Sequence, residues 1–82
     1  MERSLSVDVH GMTSAEAKRK VNSLLCEYHK RGYPELCIIH GNGSGILKKE
    51  IRTFLLSSMY VRTFRAGKYG EGGDGITIAK IR

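Results

Sequence analysis

One stretch of the 82-residue chain decides the fold: Leu36-Cys37-Ile38-Ile39-His40-Gly41-Asn42-Gly43-Ser44-Gly45. Its four apolar residues predict a buried β-strand over residues 36–40, which His40 closes. Three glycines then alternate with small polar residues, and an apolar stripe at helical spacing predicts a second helix over residues 45–57. A strand, a glycine-rich turn and a helix in this order direct backbone N–H groups and the positive end of a helix dipole toward an anion.

The segment before this stretch predicts a strand and a helix. Apolar and polar residues alternate over residues 4–10, which indicates strand one, with Asp8 and His10 on the same face at its carboxyl end. Thr13 and Glu16 have the spacing of a capping box, and the apolar stripe that follows predicts helix one over residues 14–31. Three basic residues fall mostly off that stripe: Lys18, Arg19 and Lys20.

The segment after the second helix predicts two strands joined by a loop. Residues 60–65 and 76–81 are rich in β-branched and aromatic types, whereas residues 66–75 contain five glycines. The order is therefore βαβαββ in one domain over residues 1–82, an α/β fold of the two-layer α+β kind. We expect a four-stranded mixed sheet with two helices, in which strands joined through helices are parallel and the last two strands pair antiparallel.

The charge balance favours a polyanionic partner. Fourteen Lys and Arg stand against eight Asp and Glu, a net charge of +6, which favours nucleic acid over other partners, although a basic surface without function is the alternative. No apolar run is long enough to cross a membrane, and no apolar segment behind residues 1–4 resembles a secretory signal. Cys26 and Cys37 are expected to be buried thiols in a reducing cytosol rather than a disulfide, so the predicted location is cytoplasmic.

Ligands in open α/β sheets bind beyond the carboxyl ends of parallel strands. Asp8, His10 and His40 are expected at that edge, and Arg65 and the glycine-rich loop should reach it too. The turn after His40 has two interpretations, a phosphate cradle or a tight turn that needs glycine for positive φ. Ser44 is placed to cap helix two, and the Walker A pattern is absent. The cradle candidates are Gly41, Asn42, Gly43, Ser44 and Gly45.

Asp8 and His10 could orient a water, hold a divalent ion or pair with each other, while a structural alternative has Asp8 bonding loop N–H groups. A carboxylate beside an imidazole raises the pKa of that imidazole, which suits it to protonate a leaving oxygen. If an ion is used, Mg²⁺ or Mn²⁺ held mainly through carboxylate and phosphate is favoured over structural zinc. Its candidate ligands include Asp8 and Glu71, with His10, His40 and Asp74 as others.

The loop before the last strand contains an aromatic residue beside a cation. Tyr69 could stack on a base while Lys68 meets a phosphate. A hairpin tip without function is the alternative.

Three segments together resemble the small MutS-related (Smr) domain family. Val7-Asp8-Val9-His10-Gly11 is similar to the family's leucine-aspartate-leucine-histidine-glycine signature, and residues 39–47 resemble its second, glycine-turn signature. Residues 64–65 and 68–77 are similar to the tail of the bacterial MutS paralogues that end in such a domain. The resemblance runs from about residue 5 to residue 81, with valine in place of leucine at Val7 and Val9.

The resemblance implies a fold and a set of functions. Smr domains share a βαβαββ fold with the C-terminal domain of a bacterial translation initiation factor. Many nick DNA, others cut or bind RNA, including messenger RNA on stalled ribosomes, and the MutS paralogues are linked to suppression of homologous recombination and to collided ribosomes. The implied partners are branched or duplex DNA, RNA or the ribosome, and the implied parent is a longer protein with a MutS-like ATPase, although a free-standing domain is the alternative.

The sequence hypothesis is a phosphodiester-cleaving domain without base specificity. Asp8 would orient His10 or an ion-bound water, His10 would be the general acid or base, and His40 a second proton-transfer group or a phosphate contact. Lys48, Arg65 and Lys68 would neutralise backbone charge. The alternatives are a nucleic-acid-binding module without catalysis and a purely protein-binding domain, and the choice between DNA and RNA stays open.

Overall fold

A computed structural model describes residues 5–68, 70 and 72–82. Four strands and two α-helices follow one another in the predicted order, with a short 3₁₀ helix before the last strand. In chain order they are β1 (Ser6–Asp8), α1 (Ser14–Arg31), β2 (Glu35–Ile39), α2 (Ile46–Leu56), β3 (Val61–Ala66), the 3₁₀ helix (Gly73–Gly75) and β4 (Ile76–Ile81). The tail prediction for Tyr69 and Glu71 lies outside the described residues.

The sheet has the order β1-β2-β4-β3. β1 and β2 pair parallel, whereas β4 pairs antiparallel with both β2 and β3. The two-layer α+β prediction is confirmed, and so is the antiparallel pairing of the last two strands. β2 and β3 run in the same direction but do not pair, because β4 lies between them.

Capping fixes both ends of α1 where the sequence predicts them. The Thr13 Oγ1 accepts from the Glu16 N–H, and a Glu16 carboxylate oxygen accepts from the Thr13 N–H, both at 3.1 Å. Gly32 follows the helix with φ of 77°, and its N–H bonds the last carbonyls, as glycine does at helix ends. The position of this N-terminus matters below, because it lies at the carboxyl end of β1.

Both helices cover one face of the sheet. Alternate residues of β2, Leu36 and Ile38, are fully buried with Ala79 of β4 against residues of both helices. The remaining core side chains are mostly aliphatic: Val7, Val9, Ala17, Val21, Leu25, Ile51, Leu55, Val61 and Ile81. The register places Asp8, Ile39 and Ile76 in one row of the other face, which carries no helix.

Several predicted details are corrected by the structure. β1 ends at Asp8 rather than at residue 10, because the Asp8 Oδ1 accepts from the backbone N–H of His10 at 3.1 Å and turns the chain. α2 is one residue shorter at each end than predicted. Cys26 and Cys37 are half-buried rather than buried, and no disulfide joins them. Among the described residues, no helix is both long enough and apolar enough to span a membrane.

Candidate functional site

Asp8 and His10 form a close pair at the carboxyl edge of β1. The His10 Nδ1 lies 2.6 Å from the Asp8 Oδ1, and the two side chains are 70% and 52% exposed. Hydrogen bonding to the carboxylate, with its charge, raises the pKa of the His10 imidazole above its ordinary value. The same bond lowers the pKa of the Asp8 carboxyl. Nδ1–H therefore donates to Asp8, and Nε2 is left for another partner.

A cleft of about 330 Å³ lies beside this pair. It is lined by the start of α1, from Gly11 to Ser14, and by the turn and first residues of α2, from Gly43 to Lys48, with His40 and Gly41 between them. A Cβ built on Gly41 would lie 3.7 Å from the Cβ of His10, which places the pair at the cleft. Two helix N-termini, each with a partial positive charge, therefore meet at one cleft next to an acid–base pair.

The glycine turn combines both interpretations that its sequence allows. Gly41 and Gly45 have φ of 82° and 85°, which explains two glycines by conformation. Gly43 does not have positive φ, and a Cβ there would meet nothing within 4 Å. The folded chain itself does not require glycine at residue 43, so a ligand approaching the backbone is the remaining physical reason.

The amides of the turn point to the same conclusion. Within the described part of the chain, the backbone N–H groups of Gly43, Ser44 and Gly45 have no hydrogen-bond partner, and neither do those of Leu47 and Lys48. The Ile46 N–H is bonded to the Ser44 Oγ at 3.3 Å, so Ser44 supports the start of α2 as predicted. Several donors therefore remain for an anion in the cleft.

His40 closes β2 as predicted, but it is buried and its ring is fully engaged. Nδ1 lies 3.0 Å from the Gly41 carbonyl oxygen, and Nε2 lies 2.8 Å from the Thr77 Oγ1, which also accepts from the Arg52 Nε at 2.8 Å. Since a carbonyl only accepts, Nδ1 carries the proton and Nε2 accepts from Thr77. Burial lowers the pKa of His40 below its ordinary value, against the hydrogen bond to Gly41, and the charges of Arg52 and Lys48 lower it further. The ring is therefore a neutral support for the turn.

Lys48 lines the cleft and is held by a carboxylate from the glycine-rich loop. Its Nζ lies 2.6 Å from the Asp74 Oδ2, and the Arg52 Nη2 lies 3.8 Å from the Asp74 Oδ1. The bond from Lys48 lowers the pKa of the Asp74 carboxyl. The loop before β4 thus sets the position of the one Lys or Arg that lines the cleft among the described residues.

Three other predicted residues lie away from the cleft. Arg65 is on β3, which two strands separate from β1, and it donates to the Ala66 carbonyl oxygen at 3.1 Å. Lys68 is exposed, and its carbonyl oxygen accepts from the Gly73 N–H. The Asn42 side chain packs against Gly75, where a Cβ would come within 3.5 Å of its amide. None of the three lines the cleft.

Sequence reasoning did not find the contribution of α1 to this cleft. Met12, Thr13 and Ser14 line it because a helix that follows a strand begins at the carboxyl end of that strand. The capping box and the predicted parallel pairing of the first two strands contained that signal. The bonds from Arg52 to Thr77 and from Thr77 to His40 had no such signal, since they join residues far apart in the chain.

A metal site is not assembled by the described residues alone. Among them, no group of three His, Cys, Asp or Glu side chains comes together in a way that could hold an ion. The Asp8 Oδ2 makes no hydrogen bond with the described residues, whereas Oδ1 is used by His10. One carboxylate oxygen together with phosphate oxygens of a substrate is a common setting for Mg²⁺.

A basic two-layer α+β domain with an Asp–His pair beside a glycine turn defines the class. Residues 7–82 match the model of the Smr domain, and the chain belongs to the Smr domain family. A solved structure with this fold is the Smr domain of MutS2 from Thermus thermophilus, which is 38% identical, with a TM-score of 0.91, over 94% of this chain and 96% of that one.

The curated relatives of this chain are much longer proteins. Endonuclease MutS2 of Caldanaerobacter subterraneus is 45% identical over 78 residues, which are 95% of this chain and 10% of that protein. Endonuclease MutS2 of Caldicellulosiruptor saccharolyticus is 44% identical over the same shares. The chain therefore spans about a tenth of the length of these relatives. YdaL, a stand-alone small MutS-related protein of Escherichia coli, shares the fold at 20% identity and a TM-score of 0.81, over 99% of this chain and 66% of YdaL.

Proposed function

We propose that this Smr domain binds the sugar–phosphate backbone of DNA in the cleft and nicks one strand without base specificity. One observation carries the proposal: the Asp8–His10 pair lies against Gly41, at the edge where two helix N-termini present unbonded amides. The names of the longer relatives, which call them endonucleases, support the reaction class.

Phosphate binding rests on the amides of the cleft. Donors at the start of α2 and the dipole of that helix favour an anion, and the start of α1 adds a second positive end. Lys48 supplies the charge, with Asp74 holding its ammonium group in place. Such contacts read the backbone and not the bases, so the proposed substrate is recognised by charge and shape.

The proposed reaction is hydrolysis of a phosphodiester. A water oxygen forms a bond to phosphorus, the bond from phosphorus to the leaving sugar oxygen breaks, and that oxygen takes a proton. His10 gives this proton from Nε2, because its Nδ1 is held by Asp8 and the carboxylate favours the imidazolium. His40 is assigned a positioning role, since it keeps the Gly41 carbonyl and the turn in place.

Divalent ions enter the proposal through one atom. The Asp8 Oδ2 would hold Mg²⁺ or Mn²⁺ together with phosphate oxygens, and the ion would supply charge stabilisation at the phosphate. In the longer relatives the domain would deliver this cleavage to DNA bound by a MutS-like ATPase, and suppression of recombination would follow from nicking of branched intermediates.

Plasmid nicking tests the proposal. Wild-type protein is incubated with supercoiled DNA, with Mg²⁺, with Mn²⁺ or with chelator, and binding is measured in parallel. We expect Asp8→Ala and His10→Ala to lose at least about 100-fold of the nicking rate, the usual size of a general acid–base contribution, with binding reduced less than threefold. His29→Ala, which removes an imidazole at the other end of α1, should nick at the wild-type rate.

A non-catalytic module for DNA or RNA is the second candidate, and the exposure of the pair favours it. Asp8 and His10 are more than half exposed, whereas catalytic pairs are usually shielded from water. Binding of duplex or branched DNA, or of structured RNA, without cleavage under any ion condition would establish this second candidate. Cleavage of RNA alone would move the substrate from DNA to RNA while leaving the roles of Asp8 and His10 unchanged.

A further inference from the structure

A second groove, of about 590 Å³, runs along the exposed side of α1. Its lining consists of Met12 and four helical residues, Glu16, Arg19, Lys20 and Ser23. These helical positions are three or four residues apart, so they form one stripe beside the buried stripe of the helix. From residue 16 to residue 23 the stripe is about 10 Å long.

The cations of this groove differ from those that support the fold. Several basic side chains bond to carboxylates: Lys18 with Glu50, Arg31 with Glu27, Lys48 and Arg52 with Asp74, and Lys80 with Glu35. Among the described residues, neither Arg19 nor Lys20 has a carboxylate within ion-pair distance, and both are exposed. The one acidic side chain of the groove, Glu16, is turned back to the Thr13 N–H. The positive charge of the groove is therefore not neutralised by the fold.

The groove is continuous with the cleft. Met12 lines both, so its half-buried side chain forms the wall that they share. A chain that leaves the cleft across Met12 would meet Arg19 and Lys20 within the length of the stripe. Since phosphates of one strand in a duplex follow one another every 3.4 Å along the axis, about 10 Å corresponds to about three nucleotides.

We propose that this groove binds the flanking sugar–phosphate backbone of the same nucleic-acid strand whose phosphate occupies the cleft. Arg19 and Lys20 each bind a phosphate, and the thioether side chain of Met12 packs against the sugar between the two sites. The inference rests on the proposed function, because it needs a strand in the cleft. It adds the path of that strand and a minimum substrate length of about four nucleotides.

A length series with a matched control tests the path. Fluorescein-labelled single-stranded deoxyoligonucleotides of 2 and 20 nucleotides are titrated in chelator, and anisotropy is followed from 50 to 200 mM salt. The test variant is Arg19→Ala/Lys20→Ala. The control is Lys30→Ala/Arg62→Ala, which removes one Lys and one Arg from the opposite end of the molecule, where no groove joins the cleft.

We expect the test variant to bind the 20-nucleotide strand at least about tenfold more weakly at 100 mM salt, and its salt slope to fall by about two, one for each lost phosphate contact. Binding of the dinucleotide should stay within twofold of wild type, and the control should keep the wild-type slope. Equal effects of the two double variants on the long strand would overturn the inference while leaving the cleft intact. Failure of wild type to bind any strand would overturn the proposed function itself.

Discussion

His10 and His40 lie at the same edge of the sheet, and their surroundings drive their acid–base behaviour in opposite directions. His10 is exposed and held by the Asp8 carboxylate, which raises the pKa of its ring. His40 is 5% exposed and has no carboxylate within hydrogen-bond distance, so burial lowers the pKa of its ring. The two residues of one type therefore take two roles, a proton donor and a neutral support.

NMR titration of the imidazole protons would measure this difference. We expect His10 to titrate above about 6.5, the ordinary value for histidine, and His40 below it. Asp8→Asn should bring the pKa of His10 down toward the ordinary value and leave that of His40 in place. A His40 ring that titrates above His10 would contradict the assignment of roles.

The raised pKa of His10 also has a defined effect on stability. Its contribution is fully present below pH about 6.5, the unfolded value, and is lost as pH rises through the folded value. Denaturant midpoints should therefore fall with rising pH in that window more for wild type than for His10→Gln. A steeper fall for His10→Gln would contradict the direction of the shift.

Gly43 separates the needs of the fold from those of the ligand. Because its φ is not positive and a Cβ would have open space, Gly43→Ala should keep the denaturant midpoint of wild type and weaken nucleic-acid binding. Gly45→Ala, at φ of 85°, should instead destabilise the fold by about 1 kcal/mol or more. Equal binding by Gly43→Ala and wild type would show that no ligand approaches this backbone.

At the scale of elements, local patterns predicted nearly every helix and strand. α1 begins and ends as predicted because a capping box and a glycine mark its ends. The strand order was not predicted, since placing β4 between β2 and β3 depends on contacts between distant residues. The site followed the same division: the Asp8–His10 pair could be predicted from its spacing, whereas the groove on α1 could not.

The capping box of α1 offers a test at this scale. Thr13→Ala removes the side-chain acceptor for the Glu16 N–H and should lower the free energy of unfolding by about 1 kcal/mol. Thr13→Ser keeps the hydroxyl and should stay within a few tenths of a kcal/mol of wild type. Chemical denaturation of both variants measures the difference, and equal losses would show that the hydroxyl is not the cause.

For the whole molecule, the net charge of +6 divides into cations that the fold uses and cations that it leaves available. Those bonded to carboxylates hold α1, α2 and β4 to their neighbours, while Arg19 and Lys20 stand on a surface that continues into the cleft. The sequence predicted the sign of the partner from the total charge. It could not predict which charges remain, because ion pairing depends on the tertiary structure.

The central claim is that the cleft binds a phosphate through the amides of the glycine turn. The direct measurement is a titration of ¹⁵N-labelled protein with inorganic phosphate, followed by amide chemical shifts at constant pH and ionic strength. We predict that the largest saturating shifts occur at Gly43, Ser44, Gly45, Leu47 and Lys48. Unchanged amides at these five positions, with shifts confined to the distant surface around Lys30 and Arg62, would contradict the account.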